Sequence, residues 1–324
     1  MRAWRAHAYG PYREVLSFDE CDAPTPPSDG ALVRITAASL NFPDLLSVAG
    51  KYQVKAPLPF IPGVEAAGTI TAVGPKSRHK VGDRVIVSAL WGAFAEQVAA
   101  PDASLFPIPA EMPDDHAAAF LVTYQTSYFA LVHRANLRAG ETVLVHGGAG
   151  GVGIAAIQIA KAMGATVIAT AGSDDKLEVC KRVGADHVIN YRDDDFVAAV
   201  QRLTGGKGAD VIYDPVGGDV FDKSMKCIAW EGRLLVIGFA SGRIPEVAAN
   251  RILLKNAAVI GLFWGAYQIR DPAKITGAHD ALIAMYKTGA IAPVIWREFP
   301  LAELPDALSA LEHRASYGKI VVRP

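Results

Sequence analysis

Cysteine is scarce in this chain: Cys21, Cys180 and Cys227 are the only three among 324 residues. They lie too far apart for a CxxC metal or redox motif, and their odd number fits no simple disulfide framework, so a reducing cytoplasm is the expected setting. An excess of positive charge is also missing, with 32 Lys plus Arg against 33 Asp plus Glu. No bulk field therefore exists to hold a polyanion, and nucleic acid is not an expected partner. No apolar run approaches the roughly 20 residues that span a bilayer, and the start, Met1 to His7, lacks the apolar core of a signal peptide. Neither export nor membrane insertion is expected. With 51% hydrophobic and 20% charged residues and no short repeat, the chain falls outside the collagen-like, disordered and coiled-coil classes. At roughly 100 to 200 residues per domain it has room for two cores.

Proline is absent between Asp114 and Asp214, whereas thirteen of the twenty lie at or before Pro113. Pro removes a backbone donor and fixes φ, so the early stretch suits short strands and turns, and the Pro-free stretch permits helices and central strands. Alternating segments such as Ala31–Ile35, Thr69–Val73 and Asp83–Val87 predict an irregular antiparallel β-rich unit. From Thr142 the rhythm changes to strand, glycine cluster, helix near Val152–Met163, and strand Thr166–Thr170. It continues through helix Asp174–Val183, strand His187–Ile189, helix Asp194–Leu203, strand Asp210–Tyr213, a helix near Phe221–Ala229, strand Leu234–Ile237 and strand Ala257–Phe263. Such alternation predicts an α/β domain with a doubly wound parallel sheet. The helix-like Ala278–Lys287 and the strand Lys319–Val322 read as the first domain resumed. The expected division is residues 1–120 with 264–324, and 121–263.

Gly148, Gly150 and Gly153 form G-x-G-x-x-G between a strand and a helix, the context that gives this motif meaning. Gly148 is expected to permit the tight turn, Gly150 to admit a pyrophosphate against the backbone, and Gly153 to let the helix approach the strand. The amides that open the helix, from Gly151 and Val152 onward, suit phosphate charge. The choice of dinucleotide falls at the end of the next strand, Thr170-Ala171-Gly172-Ser173. No carboxylate stands there to accept from a ribose hydroxyl, Ser173 can donate, and Lys176 lies one turn on, a set that favours NADPH. Asp174 and Asp175 follow at once and fit equally a helix N-terminus, with Lys176 as a surface charge.

Gly140-Glu141 through Leu144, the loop Gly148–Gly153, Gln158 and Lys161 together resemble the signature of the zinc-independent quinone oxidoreductase (zeta-crystallin-like) branch of the medium-chain dehydrogenase/reductase superfamily. Asn41-Phe42-Pro43-Asp44, Gly50-Lys51-Tyr52, Pro62–Gly68, Lys80–Val85 and Asp214–Gly218 are similar too, and the resemblance covers nearly the whole chain. It implies a GroES-like β-rich substrate domain and a Rossmann domain, an active site in the cleft between them, and a homodimer paired through the cofactor domains. It further implies that Gly172, Ser173, Lys176 and Tyr191 surround a 2′-phosphate. Asn41, Asp44, Tyr52 and Thr126 would lie near the nicotinamide, with Gly238 and Phe239 beneath it. Tyr191 could equally close a strand, and Tyr52 could be a packed aromatic.

No metal is expected, because zinc needs about three or four clustered Cys, His or carboxylate ligands. Neither the cysteines nor the eight histidines supply such a set, and Val64 precedes Glu65 where zinc-dependent relatives place His. His146 beside the glycine loop reads as a packing residue. Without a Lewis acid, conjugated acceptors such as quinones and enones suit hydride transfer better than simple ketones. Tyr52 is the candidate hydrogen-bond donor to the substrate oxygen, and Asn41 the candidate for orienting substrate or nicotinamide. Two alternatives remain: an enoyl-CoA or 2-alkenal reductase, using Lys51, Lys55 and Arg270 for CoA phosphates, and a non-catalytic NADPH-binding protein.

Overall fold

A computed structural model describes residues 1–324, which divide into two compact units, 1–122 with 293–324 and 123–292. The first unit opens with strand β1 (Arg2–Ala6), the short helix α1 (Tyr12–Val15) and β2 (Leu16–Glu20), which pairs antiparallel with β1. Next come β3 (Gly30–Ser39), α2 (Phe42–Val48), β4 (Glu65–Val73), β5 (Arg84–Ser88), β6 (Gln97–Pro101), β7 (Leu105–Pro107) and α3 (Asp114–Ala118). Helix α4 (Leu121–Tyr128) spans the division at Val122.

The second unit carries β8 (Thr142–Val145), α5 (Gly151–Ala162), β9 (Thr166–Ala171), α6 (Asp174–Arg182), β10 (His187–Asn190), α7 (Phe196–Leu203) and β11 (Ala209–Asp214). It continues with α8 (Gly218–Ser224), β12 (Ile228–Val236), α9 (Ala249–Lys255), β13 (Ala258–Gly261), α10 (Tyr267–Arg270) and α11 (Pro272–Lys287). The chain then returns to the first unit through β14 (Ile295–Pro300), α12 (Leu304–Glu312) and β15 (Lys319–Arg323).

In the first unit seven strands share one sheet in the order β14-β15-β3-β4-β5-β7, with β6 also on β3. All its ladders are antiparallel except β14–β15. The ten residues of β3 are mostly buried because β4, β6 and β15 all pair with it, so its side chains do not alternate in and out as a half-exposed strand would. Val33, Ile35, Phe60, Ile70, Val85, Phe94, Leu304 and Val322 belong to its core.

The second unit is a six-stranded parallel sheet ordered β10-β9-β8-β11-β12-β13. Counted from β8 as the first strand, this is the 3-2-1-4-5-6 order of the doubly wound fold. Its strand order reverses between β8 and β11, which places a crevice beyond their carboxyl ends, where such sheets bind ligands. The absence of proline has its reason here: β8, β9 and β11 are buried on both faces, and each must donate to neighbours.

Two expectations change, and one helix was not predicted. The return to the first unit falls at Pro293, not at 264. Gln125 accepts from Trp264 Nε1 (3.1 Å) and donates to Ile275 O (3.1 Å), while Ile275, Ala278 and Leu282 of α11 are buried, so 264–292 stays with the parallel sheet. The helix expected near Phe221–Ala229 ends at Ser224, because Ile228 already pairs with Ala209 as the start of β12. Helix α9, three residues ahead of β13, went unread in a segment with no buried side chain and hence no strong periodicity. No helix is long and apolar enough to cross a membrane.

Candidate active site

The glycine loop joins β8 to α5 and folds as a tight turn, with Gly150 N donating to Gly147 O (2.9 Å). Gly147, not Gly148, takes the left-handed conformation (φ 59°) that the turn requires. Gly148 is needed for another reason, since a Cβ there would lie 2.9 Å from Ala169 Cβ and Cys180 Sγ. A Cβ on Gly153 would stand 2.3 Å from Gly147 O, so the third glycine lets the helix start press on the turn. Gly150 caps α5 with extended backbone, leaving the first amides of a twelve-residue helix without partners in the helix. An incoming anion meets these donors and the positive end of the dipole.

The loop is braced from below. Ser127 on α4 donates to Val152 O (2.9 Å) and bonds the buried Tyr213 hydroxyl (3.0 Å), which ties α4 to the start of α5 and the end of β11. Asp214, at the end of β11, accepts from Val216 N (2.8 Å) and Gly217 N (2.9 Å); its burial raises its pKa. Ala240 N reaches Pro215 O (3.1 Å) and Ser241 N reaches Val216 O (2.9 Å), so Gly238 and Phe239 lie against the loop after β11. The carboxyl ends of β8, β11 and β12 thereby meet at the crevice.

At the end of β9, a Cβ on Gly172 would fall 2.5 Å from the Tyr191 hydroxyl, so these two residues of the expected phosphate pocket touch. Ser173 is the N-cap of α6, but its hydroxyl makes no capping bond to the helix start. Lys176 stands one turn along α6, and Asp174 and Asp175 occupy the first turn. The glycine-rich turn, floored by the free amides at the start of α5, fits a dinucleotide diphosphate.

His146 reads as packing, as its surroundings bear out. It is buried, bonds Thr170 Oγ1 (3.1 Å) and Ser224 Oγ (2.9 Å), and its pKa is pushed down to about 3 by desolvation. The ring is neutral and ties β8, β9 and α8 together.

The first unit holds a separate polar cluster. Asn41-Phe42-Pro43-Asp44 opens α2 as an N-cap, a Pro near the start and an acid in the first turn. Asn41 N donates to Asp44 Oδ2 (2.7 Å), and Asp44 N donates to Asn41 O (2.9 Å). Both side chains are buried. Asn41 Oδ1 accepts from Lys319 Nζ (2.6 Å), and its Nδ2 faces Glu65 Oε2 (3.3 Å) and Ser39 O (3.4 Å). Its amide is thus committed to protein partners. Asp44 Oδ1 is buried without a partner, and desolvation carries its carboxyl up to about 7. Tyr52 follows in the loop after α2, half-buried; burial first, then the charge of Asp44, raises its pKa, so the phenol stays protonated at neutral pH.

Two participants went unread in the sequence. Glu65 is fully buried and accepts from Val122 N (2.9 Å) and Ser39 Oγ (3.0 Å), and Lys319 Nζ lies 3.6 Å from its Oε2. The available signal was a lone Lys heading the apolar strand Ile320-Val321-Val322, since a charge at a buried position needs a partner. No three His, Cys, Asp or Glu side chains gather as a metal-ligand group.

Comparison with known proteins agrees with this two-unit plan. Residues 27–110 match the alcohol dehydrogenase GroES-like domain, and residues 151–280 match the family described as zinc-binding dehydrogenase. The quinone oxidoreductase-like protein 2 homolog of Nematostella vectensis is 40% identical over 90% of this chain and 80% of its own. Quinone oxidoreductase-like protein 2 of Mus musculus is 38% identical over 99% of this chain and 92% of its own. The Escherichia coli quinone oxidoreductase, solved as a complex with NADPH, superposes with a TM-score of 0.92 at 31% identity, covering both chains fully. A GroES-like domain coupled to a Rossmann domain defines the medium-chain dehydrogenases and reductases, and the chain is an oxidoreductase of this class. Within it, the chain belongs to the zinc-independent quinone oxidoreductase branch.

Proposed function

We propose that the protein is an NADPH-dependent reductase of quinones or related conjugated enones that works without a metal ion. The observation that carries this reading is the end of β9, where Gly172 and Tyr191 touch, Ser173 is uncapped to its own helix, and Lys176 follows. No carboxylate occupies the strand tip, and a 2′-phosphate supplies the charge that Lys176 and the hydroxyls can bind. Gly148, Gly150, Gly151, Val152 and Gly153 hold the diphosphate, with Thr126, Gly238 and Phe239 around the rest of the cofactor. Bound NADPH supplies a hydride. Tyr52 donates a hydrogen bond to the acceptor oxygen as charge develops there, a role its raised pKa suits. Asn41 and Asp44 support that site from within the first unit.

The bare arrangement of ligating side chains supports metal-free chemistry, since Val64 precedes Glu65 and no third ligand stands near. A spectrophotometric screen of NADPH and NADH against benzoquinone, enones and crotonyl-CoA tests the reading. NADPH-preferring quinone turnover, insensitive to chelators, is expected; turnover of the thioester alone would make the enzyme an enoyl-thioester reductase, and NADPH binding without turnover of any acceptor would make it a binding protein.

The reading extends to a homodimer in a reducing cytoplasm. Strand β13 is one of the two edges of the parallel sheet, opposite β10, and Leu253, Leu254 and Ile269, near β13 in sequence, expose apolar side chains. An exposed strand edge with such residues is the kind of surface that pairs with its own copy.

A further inference from the structure

Lys319 and Glu65 are charged side chains buried within the first unit, 3.6 Å apart. Lys319 heads β15, after Gly318, and is 4% exposed; its Nζ donates to Leu40 O (2.9 Å) and Asn41 Oδ1 (2.6 Å). Glu65 heads β4 with no exposed surface, and its two carboxylate oxygens take Val122 N on one side and Ser39, Asn41 and Lys319 on the other. A core of this size is held as well by apolar residues, and an ion pair out of water returns little net stability. What the pair does specify is orientation. An Asn amide can flip, and here the ammonium takes its oxygen while the carboxylate takes its nitrogen, so a single arrangement satisfies both. Asn41 then fixes Asp44 through its own backbone N–H.

We propose that Lys319 and Glu65 are positioning residues, which lock the Asn41 amide and the Asp44 carboxyl into one arrangement at the start of α2. The claim rests on the reading of Asn41 and Asp44 as active-site residues. Lys319 and Glu65 are also the charges that act on Asp44, the first lowering and the second raising its proton affinity. The remaining charged groups on the elements packed against α2 are engaged elsewhere or face solvent: Arg13 of α1 pairs with Asp306 of α12 (3.1 Å), Glu312 of α12 accepts from Tyr12 (3.2 Å), and Glu14 is exposed. Tyr52 is the other titratable neighbour.

The decisive experiment reads Asp44 directly, by carbon-13 NMR of labelled aspartate carboxyls in the full chain, with Asp44→Asn assigning the signal. Lys319→Met should raise the Asp44 midpoint by about one pH unit and Glu65→Gln should lower it, opposite shifts that a merely structural loss would not produce. Lys319→Met should also cut kcat/KM for quinone by about tenfold or more, while NADPH affinity, which belongs to the glycine loop, stays unchanged. Lys319→Arg, which keeps the charge, should restore part of the loss. If Lys319→Met does not fold, the Glu65→Gln midpoint decides alone. Midpoints that stay fixed or move in the same direction overturn the proposal, as does full quinone turnover by a folded Lys319→Met. Should the wild type reduce no quinone while the midpoints move oppositely, the positioning pair stands and the assigned reaction falls.

Discussion

A phenol held neutral beside a carboxyl whose oxygen has no partner is the feature of the first unit on which the proposed chemistry rests. Tyr52 keeps its proton because burial and the charge of Asp44 both oppose ionisation. Removing that hydrogen bond with Tyr52→Phe should lower kcat for quinone by about 100-fold, the usual scale for one lost oxyanion donor, with little effect on NADPH binding; steady-state kinetics with both substrates varied will show which parameter moves. Asp44 has a thermodynamic consequence as well. Its folded pKa is raised from 3.8 to about 7, so the native state holds a proton that the unfolded chain has lost in that window. The stability it contributes is full below 3.8 and is lost as pH rises through 7. Chemical denaturation of Asp44→Asn should therefore show a smaller loss of stability between pH 5 and pH 8 than the wild type. Asn41, Asp44 and Tyr52 could be singled out as candidates from the sequence because short motifs carry the family resemblance at those positions. Lys319 was not, since its partners lie 278 and 279 positions away in the chain and only the β15–β3 pairing brings them together.

At the level of elements, the β8–α5 turn carries the clearest link from sequence to function. Its glycine motif and flanking strand and helix were readable in full, while the division of labour among the glycines was not: the left-handed residue is Gly147, outside the motif, and only backbone angles reveal it. His146 clasps β8, β9 and α8 beneath this turn. Its pKa of about 3 against 6.5 unfolded means that stability is present above pH 6.5 and drains as pH falls towards 3, at about 1.4 kcal/mol per pH unit for one site. A urea-denaturation series from pH 7 to pH 5 should show this slope in the wild type and a shallower one in His146→Gln. The boundary at Pro293 escaped the sequence because α11 has a weak amphipathic pattern; Gln125, reaching both Trp264 and Ile275, is what assigns it.

For the whole molecule, proline distribution separated the two architectures correctly because it reflects where backbone donors are needed. What it could not show is the surface left by their edges. Replacing Leu253 and Leu254 together with Asp, two exposed positions just before β13, should convert a dimer to a monomer in light-scattering chromatography while leaving NADPH affinity intact; a wild type that is already monomeric would remove the dimer from the account. The central claim is that the crevice of the second unit selects the phosphorylated nicotinamide cofactor. Its most direct test is titration calorimetry of NADPH and NADH against wild type and Lys176→Ala. The account predicts that wild type binds NADPH more tightly and that Lys176→Ala weakens NADPH by about tenfold or more, as expected for a lost charge-assisted contact, with NADH unchanged. Equal affinity for the two cofactors in the wild type, or equal weakening of both in the variant, would contradict it.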